Sequence, residues 1–555
     1  MTDERTSART TYDVAILGSG IGGSTLACCL ARNGVRVLLI DAAQHPRFAI
    51  GESTTPYTLV SLRRMADRYM VPELKALTAL KYNNKVIKPN FGIKRHFGFL
   101  IHHEGQPQNP KESNQFATPG LLHESSHLFR QDTDSFVFHL AVKYGADAKQ
   151  GVKVVDVDID DSGVTIHGHD GSEYRARYVV DAGGFRSPLA EKFGLRENPP
   201  RFKHHSRSLW THAVGVTPTD DLWDRSGPDV PHAPWYWGTV HHCFERGWFW
   251  VIAFNNHPSS RNPVVSVGLT LDERRYPKDP NLTPEEDFFK HAARFPDVER
   301  QYAGMVPVRE WNSTERLQYS TSQTVGDRWC ILGHAAGFID PLYSFGLSNT
   351  FEAINAIAWR LIDAVKDDDF SAERFEYLDR LQQGLLHYND LVVNASYISW
   401  DNFDLWNAVF RIWAWGSNVG TFRQQEGLKK FWKDGRVSHL TDLEEQPYLG
   451  LPWPDHEGYK KIYDEMVAQC DAYEAGAVTG DQAADVLWKM LEESDFFPRP
   501  FGFIDRNNRY MNPKPITFAK TGLWAVTEAE PQIRKLLLST GRQAIKLKLQ
   551  GRRIF

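Results

Sequence analysis

The stretch "GIKRHFGFLIHH" (residues 92–103) sets a lysine into what reads as a strand. Alternation puts Ile93, Phe97, Phe99 and Ile101 on one face, interrupted by Arg95, and Lys94, His96, Gly98 and Leu100 on the other. Most single lysines are surface charges whose stems lie over apolar neighbours. The alternative is an enclosed amine, whose lowered pKa makes it a nucleophile. Lys81, Lys85 and Lys88 precede it in a polar stretch without the strand pattern. A second pattern, Gly18, Gly20 and Gly23, spaces glycines as GxGxxG and is followed by Asp41. In that pattern the first glycine permits a tight turn and the second lets backbone amides approach a pyrophosphate. The third packs helix on strand, and the acid accepts from ribose hydroxyls. A third pattern is Trp248 and Trp250 in "GWFWVIAF", two apart and so on one face of a strand, where most Trp pairs are simply core.

The glycines need a strand before them and a helix after. "YDVAILGSGIGGSTLACCLARNGVRVLLIDA" supplies both: apolar runs at residues 14–17 and 35–40 flank a small-residue helix whose N-terminus favours an anion. "VKVVDVDIDDSGVTIHGHDGSEYRARYVVDAGG" reads as a meander turning at Asp161–Gly163 and Asp170–Gly171 and ending in a buried strand. "RWCILG" is a further strand, followed by a loop and the amphipathic helix "NTFEAINAIAWRLIDAV". Less regular blocks at about 55–130 and 195–320 carry alternating apolar strands, and beyond residue 366 the pattern is mainly helical. The expected fold class is α/β.

The chain has 555 residues, too many for one ordinary core. A formal charge of -5 gives no electrostatic case for a nucleic-acid partner. Five cysteines with no CxxC spacing read as structural thiols of a cytoplasmic protein. The polar start "MTDERTSARTTYD" lacks a signal-peptide core, and no apolar run is long enough for a membrane span. The basic C-terminal stretch "RKLLLSTGRQAIKLKLQGRRIF" reads as a packed terminal helix rather than a membrane-surface one. Adjacent histidines (His102–His103, His204–His205, His241–His242) face opposite ways on a strand and lack a third ligand at metal spacing, so no metal is expected.

"DAGGFRSPLA" (181–190) and "VGDRWCILGHAAGFIDPLYSFG" (325–346) resemble the two downstream flavin segments of the glutathione-reductase-type fold used by aromatic monooxygenases. The resemblance implies FAD, and with no second GxGxxG only one dinucleotide has an evident site. Three classes then compete: an FAD-dependent aromatic hydroxylase, a flavin-dependent halogenase, and a non-enzymatic FAD-binding or carrier protein. "GWFWVIAF" is similar to the GWxWxI signature of the flavin-dependent halogenases. "HPRFAIGESTTP", "GIKRHFGF", "FRQDTDSF", "FKHHSRSLWTH", "VSVGLTLD" and "DDDFSAERFEYLDRLQQ" extend that likeness collinearly, toward the bacterial halogenases of pyrrole and phenol rings.

Membership of that family implies a Rossmann-like FAD-binding module over residues 1–365 with substrate-side sheet blocks inserted, and a helical region over 366–555. It implies that Gly18, Gly20, Gly23 and Asp41 hold the adenosine pyrophosphate. Arg47 would neutralise the cofactor, and Gly51, Glu52 and Ser53 would belong to a strap between flavin and substrate sites. Asp340 and Pro341 would lie at the flavin, and the amides of Phe345 and Gly346 at the halide. Trp248 and Trp250 would wall the flavin from the substrate, and Lys94, beside Tyr343 and Ser344, would receive the halogen. The implied route is reduced FAD from a separate NAD(P)H-flavin reductase, O2 to a flavin hydroperoxide, chloride or bromide to hypohalous acid, then Lys94, then the ring. The implied substrate is a free small aromatic rather than a carrier-bound one.

Two residues depart from the family pattern. Ala253 stands where the signature continues with proline. Tyr343 stands where tryptophan halogenases carry a glutamate, and a phenol is a poor base near neutral pH. The second departure favours a ring activated enough to dispense with that carboxylate, a phenol or pyrrole; Glu52, His96 and His334 are the nearby groups able to act as bases.

Overall fold

The computed structural model describes residues 11–117, 125–223, 230–511 and 514–549, with side chains of the last helix described to residue 542. The readings of the N-terminus up to residue 10 and of the basic tail's last residues lie outside these.

The elements that carry the site follow in chain order. Strand β1 (Thr11–Leu17) leads through the glycine turn into helix α1 (Ile21–Arg32), and strand β2 (Val37–Asp41) follows. Short strands β3 (Gly92–Lys94), β4 (His96–Ile101) and β5 (Ser125–His127) come next. Then come the hairpin β6 (Thr239–Phe244) and β7 (Gly247–Ala253), and helix α2 (Phe345–Asp367).

In the first sheet β1 lies parallel between β2 and Glu173–Asp181, and Trp329–Ile331 adds in parallel beyond the latter. The expected meander is present: Val154–Asp160, Gly163–Gly168 and Glu173–Asp181 pair antiparallel in sequence. Its turns use Gly163 and Gly171 at φ +141° and +82°, a region that favours glycine. Strands buried on both faces read as continuous apolar runs, which is why "VAIL" and "VLLI" were legible.

The second sheet has nine strands and draws on both irregular blocks: β6 pairs with β7 and, in parallel, with β4, while Ser206–Val214 and Val265–Asp272 extend it beyond β7. Its edge strand, Tyr510–Met511, comes from the C-terminal region. Trp248, Trp250, Phe97 and Phe99 on this sheet share one apolar core with Trp406 and Trp413 of the long helix Phe403–Asp434. The C-terminal helix Pro531–Leu549 buries Ile533 and Leu536 in the same core, as a packed terminal helix should.

The expected single strand over 92–103 is in fact two strands in two sheets. β3 pairs with β5, β4 with β6, and the chain breaks between them at Arg95, whose N–H donates to the Trp237 carbonyl at 2.6 Å. The break turns Lys94 off the face it would share with His96; its Nζ lies 3.4 Å from the ring centre of Phe97. Ala253 stays in the ladder opposite Val265, a pairing position that proline disfavours.

The three glycines differ in what they tolerate. A Cβ on Gly23 would stand 2.0 Å from the Gly18 carbonyl oxygen, and one on Gly18, itself at φ +101°, 2.5 Å from that of Ala182. A Cβ on Gly20 meets nothing within 4 Å. Gly23→Ala is therefore expected to lower stability by about 1–3 kcal/mol or more in thermal denaturation of the apoprotein. Gly20→Ala should fold normally and lose FAD affinity in a titration.

Candidate active site

At the carboxyl ends of β1 and β2 a large open cavity is lined by Gly18, Gly20, Asp41, Arg47, Arg130, Gly183 and His334. Gly20 caps α1, so the first-turn amides of that helix face the cavity. Gly23 lies outside it, under the turn. Asp41 anchors the turn: its carboxylate accepts from the Ser19 N–H at 2.6 Å, the Ser19 hydroxyl at 2.9 Å and the Ala43 N–H at 2.8 Å. Arg47 pairs with the same carboxylate at 2.5 Å. An open glycine, a helix N-terminus and two guanidiniums on one cavity fit a dinucleotide pyrophosphate.

The chain leaves this cavity as a strap. Arg130, held by Asp134 through two contacts of 2.7 and 2.9 Å, donates to the carbonyls of Ile50 and Gly51. Glu52 is buried against His212, 2.6 Å away. Ser53 reaches into the middle of the molecule, and Thr55 caps the helix Pro56–Arg68 while bonding Ser348 on α2 at 2.9 Å.

Beyond the strap lies a second cavity, lined by Lys94, His96, Phe97, Tyr343, Phe345 and Trp413 together with Glu352, Asn418, Arg423 and Gln424. Lys94 is 3% exposed. Its backbone is clamped by Asn256, which accepts from the Ile93 N–H at 2.8 Å and donates to the Ile93 carbonyl at 2.9 Å. Its Nζ donates to Ser53 Oγ, which also accepts from Ser344 Oγ at 2.8 Å. Burial alone holds the Lys94 ammonium well below lysine's usual range. Burial likewise pushes His96 down to about 4. A carboxylate near Lys94 would oppose this shift; the hydroxyl of Ser53 does so only weakly.

Tyr343 is fully buried, stacked on Trp413 at 4.2 Å between ring centres, and its hydroxyl lies 2.6 Å from Ser396 Oγ. Burial raises its phenol further from any role as a base. Ser344 adopts φ +56° as the N-cap of α2, so Phe345 and Gly346 lie in the first turn, where helix geometry leaves N–H groups unpaired. The ring of His334 stands where a Cβ on Gly346 would be, 2.5 Å from its Nε2.

Asp340 is not among the residues lining the dinucleotide cavity but shares a smaller cavity with His334, Phe345 and Gly346. Its carboxylate accepts from Tyr397 at 3.0 Å, from Ser206 at 3.2 Å and from the Leu342 N–H at 2.9 Å. Pro341 contributes a carbonyl to the Ser344 N–H. Trp248 and Trp250 share a face, 5.6 Å apart, yet neither lines either cavity. Trp248 donates to Tyr397 at 2.7 Å and so buttresses Asp340 from behind. The adjacent histidines take separate partners, His102 with His242, His103 with Glu112, His205 with Glu273. Arg130 was missed, although it stands in "FRQDTDSF"; an arginine in a helix's first turn has no periodic signal.

A cavity that fits a dinucleotide and a separate cavity holding an amine are thus joined through one serine and one helix N-terminus. The chain matches the FAD binding domain family over residues 11–372. It is 49% identical over 532 residues to the tetracycline 7-halogenase of Kitasatospora aureofaciens, covering 96% of each chain. It is 45% identical to the monodechloroaminopyrrolnitrin halogenase PrnC of Pseudomonas fluorescens, covering 89% of this chain and 86% of that one. The crystal structure of the halogenase PltM with phloroglucinol and FAD superposes with a TM-score of 0.87 at 32% identity, over 90% of this chain and 99% of that one. The protein belongs to the flavin-dependent halogenases, enzymes that use reduced FAD, O2 and halide to halogenate an aromatic ring. Among the described residues no helix is long and apolar enough to cross a membrane.

The buried amine has a cost in stability. A folded-state pKa below the unfolded one is neutral to stability above lysine's ordinary pKa and destabilises increasingly as pH falls toward the folded value. Lys94→Met should therefore raise the melting temperature, with a larger gain at pH 7 than at pH 10. Equal melting curves for variant and parent at pH 7 would contradict an amine whose burial disfavours its charged form.

Proposed function

We propose that this protein chlorinates or brominates an electron-rich phenol or pyrrole ring of a free small molecule, with Lys94 receiving the oxidised halogen. The observation that carries this is the amine itself: buried, lining the aromatic cavity, and tied through Ser53 to Ser344 at the start of α2. When bound, reduced FAD with O2 supplies the oxidation of halide to hypohalous acid. Gly18, Gly20 and Arg47 hold the pyrophosphate. A ribose hydroxyl reaches Asp41 by sharing it with Arg47, whose side chain is 36% exposed. The first-turn N–H groups of Phe345 and Gly346 hold the halide on the flavin side of Ser344. Lys94 stands on the other side and gives the halogen a fixed origin relative to the ring, which free hypohalous acid lacks. Trp248 and Trp250 back the partition rather than line it.

Tyr343 offers no base, so the ring must lose its proton readily, as phenols and pyrroles do. The phloroglucinol in the PltM complex is a free phenol, and the relatives at 49% and 45% identity are halogenases of tetracycline and of monodechloroaminopyrrolnitrin. The reduced flavin comes from a separate NAD(P)H-dependent reductase, as it generally does for flavin-dependent halogenases. All five cysteines are free and buried, in keeping with a reducing cytoplasm.

The test combines purified protein, FAD, a flavin reductase, NADH, O2 and chloride or bromide with a panel of phenols and arylpyrroles, read by mass spectrometry. Halogenated product should form and fall by roughly two orders of magnitude or more in Lys94→Ala, with flavin oxidation continuing. Halide-independent hydroxylation would establish a monooxygenase, and unimpaired Lys94→Ala would remove the lysine from the route.

A further inference from the structure

Lys94 is the near end of a buried row of hydrogen-bonding groups running away from the aromatic cavity. Ser53 Oγ lies 2.9 Å from Thr239 Oγ1, on β6. Thr239 Oγ1 lies 3.1 Å from His127 Nε2, on β5, and His127 Nδ1 lies 2.9 Å from the Ala253 carbonyl oxygen at the end of β7. Thr239 is 2% exposed and His127 fully buried. Gly92 lets β3 approach that same carbonyl, where a Cβ would stand 2.1 Å from the oxygen.

The directions in this row are forced. A carbonyl oxygen only accepts, so His127 carries its proton on Nδ1 and presents a lone pair at Nε2. The ring is neutral, because burial pushes it down to about 3. Thr239 must then donate to Nε2 and accept from Ser53. The single proton of Ser53 is committed to Thr239, and its two lone pairs take Lys94 and Ser344.

The consequence falls on the amine. A neutral lysine nitrogen has two N–H bonds and one lone pair. One N–H goes to Ser53; the other faces the Phe97 ring, whose negative face repels a lone pair. The remaining direction is the cavity. Were the Ser53 proton free, it would hydrogen-bond the lone pair and occupy it.

We infer that His127, acting through Thr239 and Ser53, is a positioning residue: it fixes the direction of the row and so keeps the Lys94 lone pair open to the aromatic cavity. This rests on the reading of Lys94 as halogen acceptor. The open lone pair meets hypohalous acid at its electron-poor end.

Carbamylation tests this without flavin, because cyanate is a small probe that reacts only with neutral amines. Protein is treated with cyanate at neutral pH, and labelling of Lys94 is compared with that of the exposed Lys489 by peptide mass spectrometry. Lys94 should label readily in the parent. Thr239→Val and His127→Phe should slow it about fivefold or more relative to Lys489. His127→Gln, whose amide can donate to Ala253 and accept from Thr239, should restore it. Adding Ser53→Ala to Thr239→Val should also restore it, because no hydroxyl remains to occupy the lone pair; a merely structural role predicts further loss. Thermal denaturation checks that each variant is folded, and should His127→Phe fail to fold, Thr239→Val with and without Ser53→Ala decides. Parent-like labelling in a folded Thr239→Val variant overturns the inference. The halogenation assay separates the two failures: if Lys94→Ala still halogenates, the reading of Lys94 falls. If it does not, and labelling is indifferent to Thr239, only the role of His127 falls.

Discussion

An amine enclosed in protein without a carboxylate partner is the constraint on which the rest of this structure depends. Burial disfavours the ammonium form, so everything packed around Lys94 must suit a neutral nitrogen. The surroundings meet that demand: the face of Phe97, the hydroxyl of Ser53, and histidines that burial also keeps neutral. A nearby carboxylate would return the proton and remove the nucleophile. The absence of a glutamate at position 343 is consistent with this chemistry, since Tyr343 brings volume and stacking to the cavity wall without a charge.

The same constraint explains the break at Arg95. A lysine within a continuous strand would keep to the face its register assigns, among His96 and Gly98. By ending β3 at Lys94 and handing Arg95 to the Trp237 carbonyl, the chain turns the amine toward Phe97 and Ser53. Asn256 takes the place of a neighbouring strand by bonding both polar groups of Ile93. Three strands in two sheets, β3, β5 and β6, then converge on a few ångströms of hydrogen-bonded side chains.

What sequence reasoning reached, and what it did not, divides along the range of the interactions. The glycine turn, α1, the meander and the long helix after "RWCILG" are local: each depends on period and turn chemistry within a few residues, and each stands where expected. Lys94, Ser53 and Ser344 were named separately, but nothing in their spacing showed that one hydroxyl joins them. His127 and Thr239 went unnamed because their partners lie more than a hundred residues away, beyond the reach of any local period. The Trp pair was tied to the flavin by its motif; in space neither indole lines the two large cavities, and Trp248 donates to Tyr397 behind them.

The shared core of the substrate-side sheet and the C-terminal helices bears on how such an enzyme can change its substrate over evolutionary time. Phe97 and Trp250 on one side and Trp406 and Trp413 on the other interlock in one apolar mass, which the helix Pro531–Leu549 also enters. The helical region therefore cannot be exchanged between relatives as a detachable cap, because its removal would expose the sheet that carries the lysine. Altered specificity has to arise by point replacement on the faces of the helices Ala372–Ser399 and Phe403–Asp434 that border the aromatic cavity, at Asn389, Asn418 or Gln424. Residues behind them stay bound to the packing they serve.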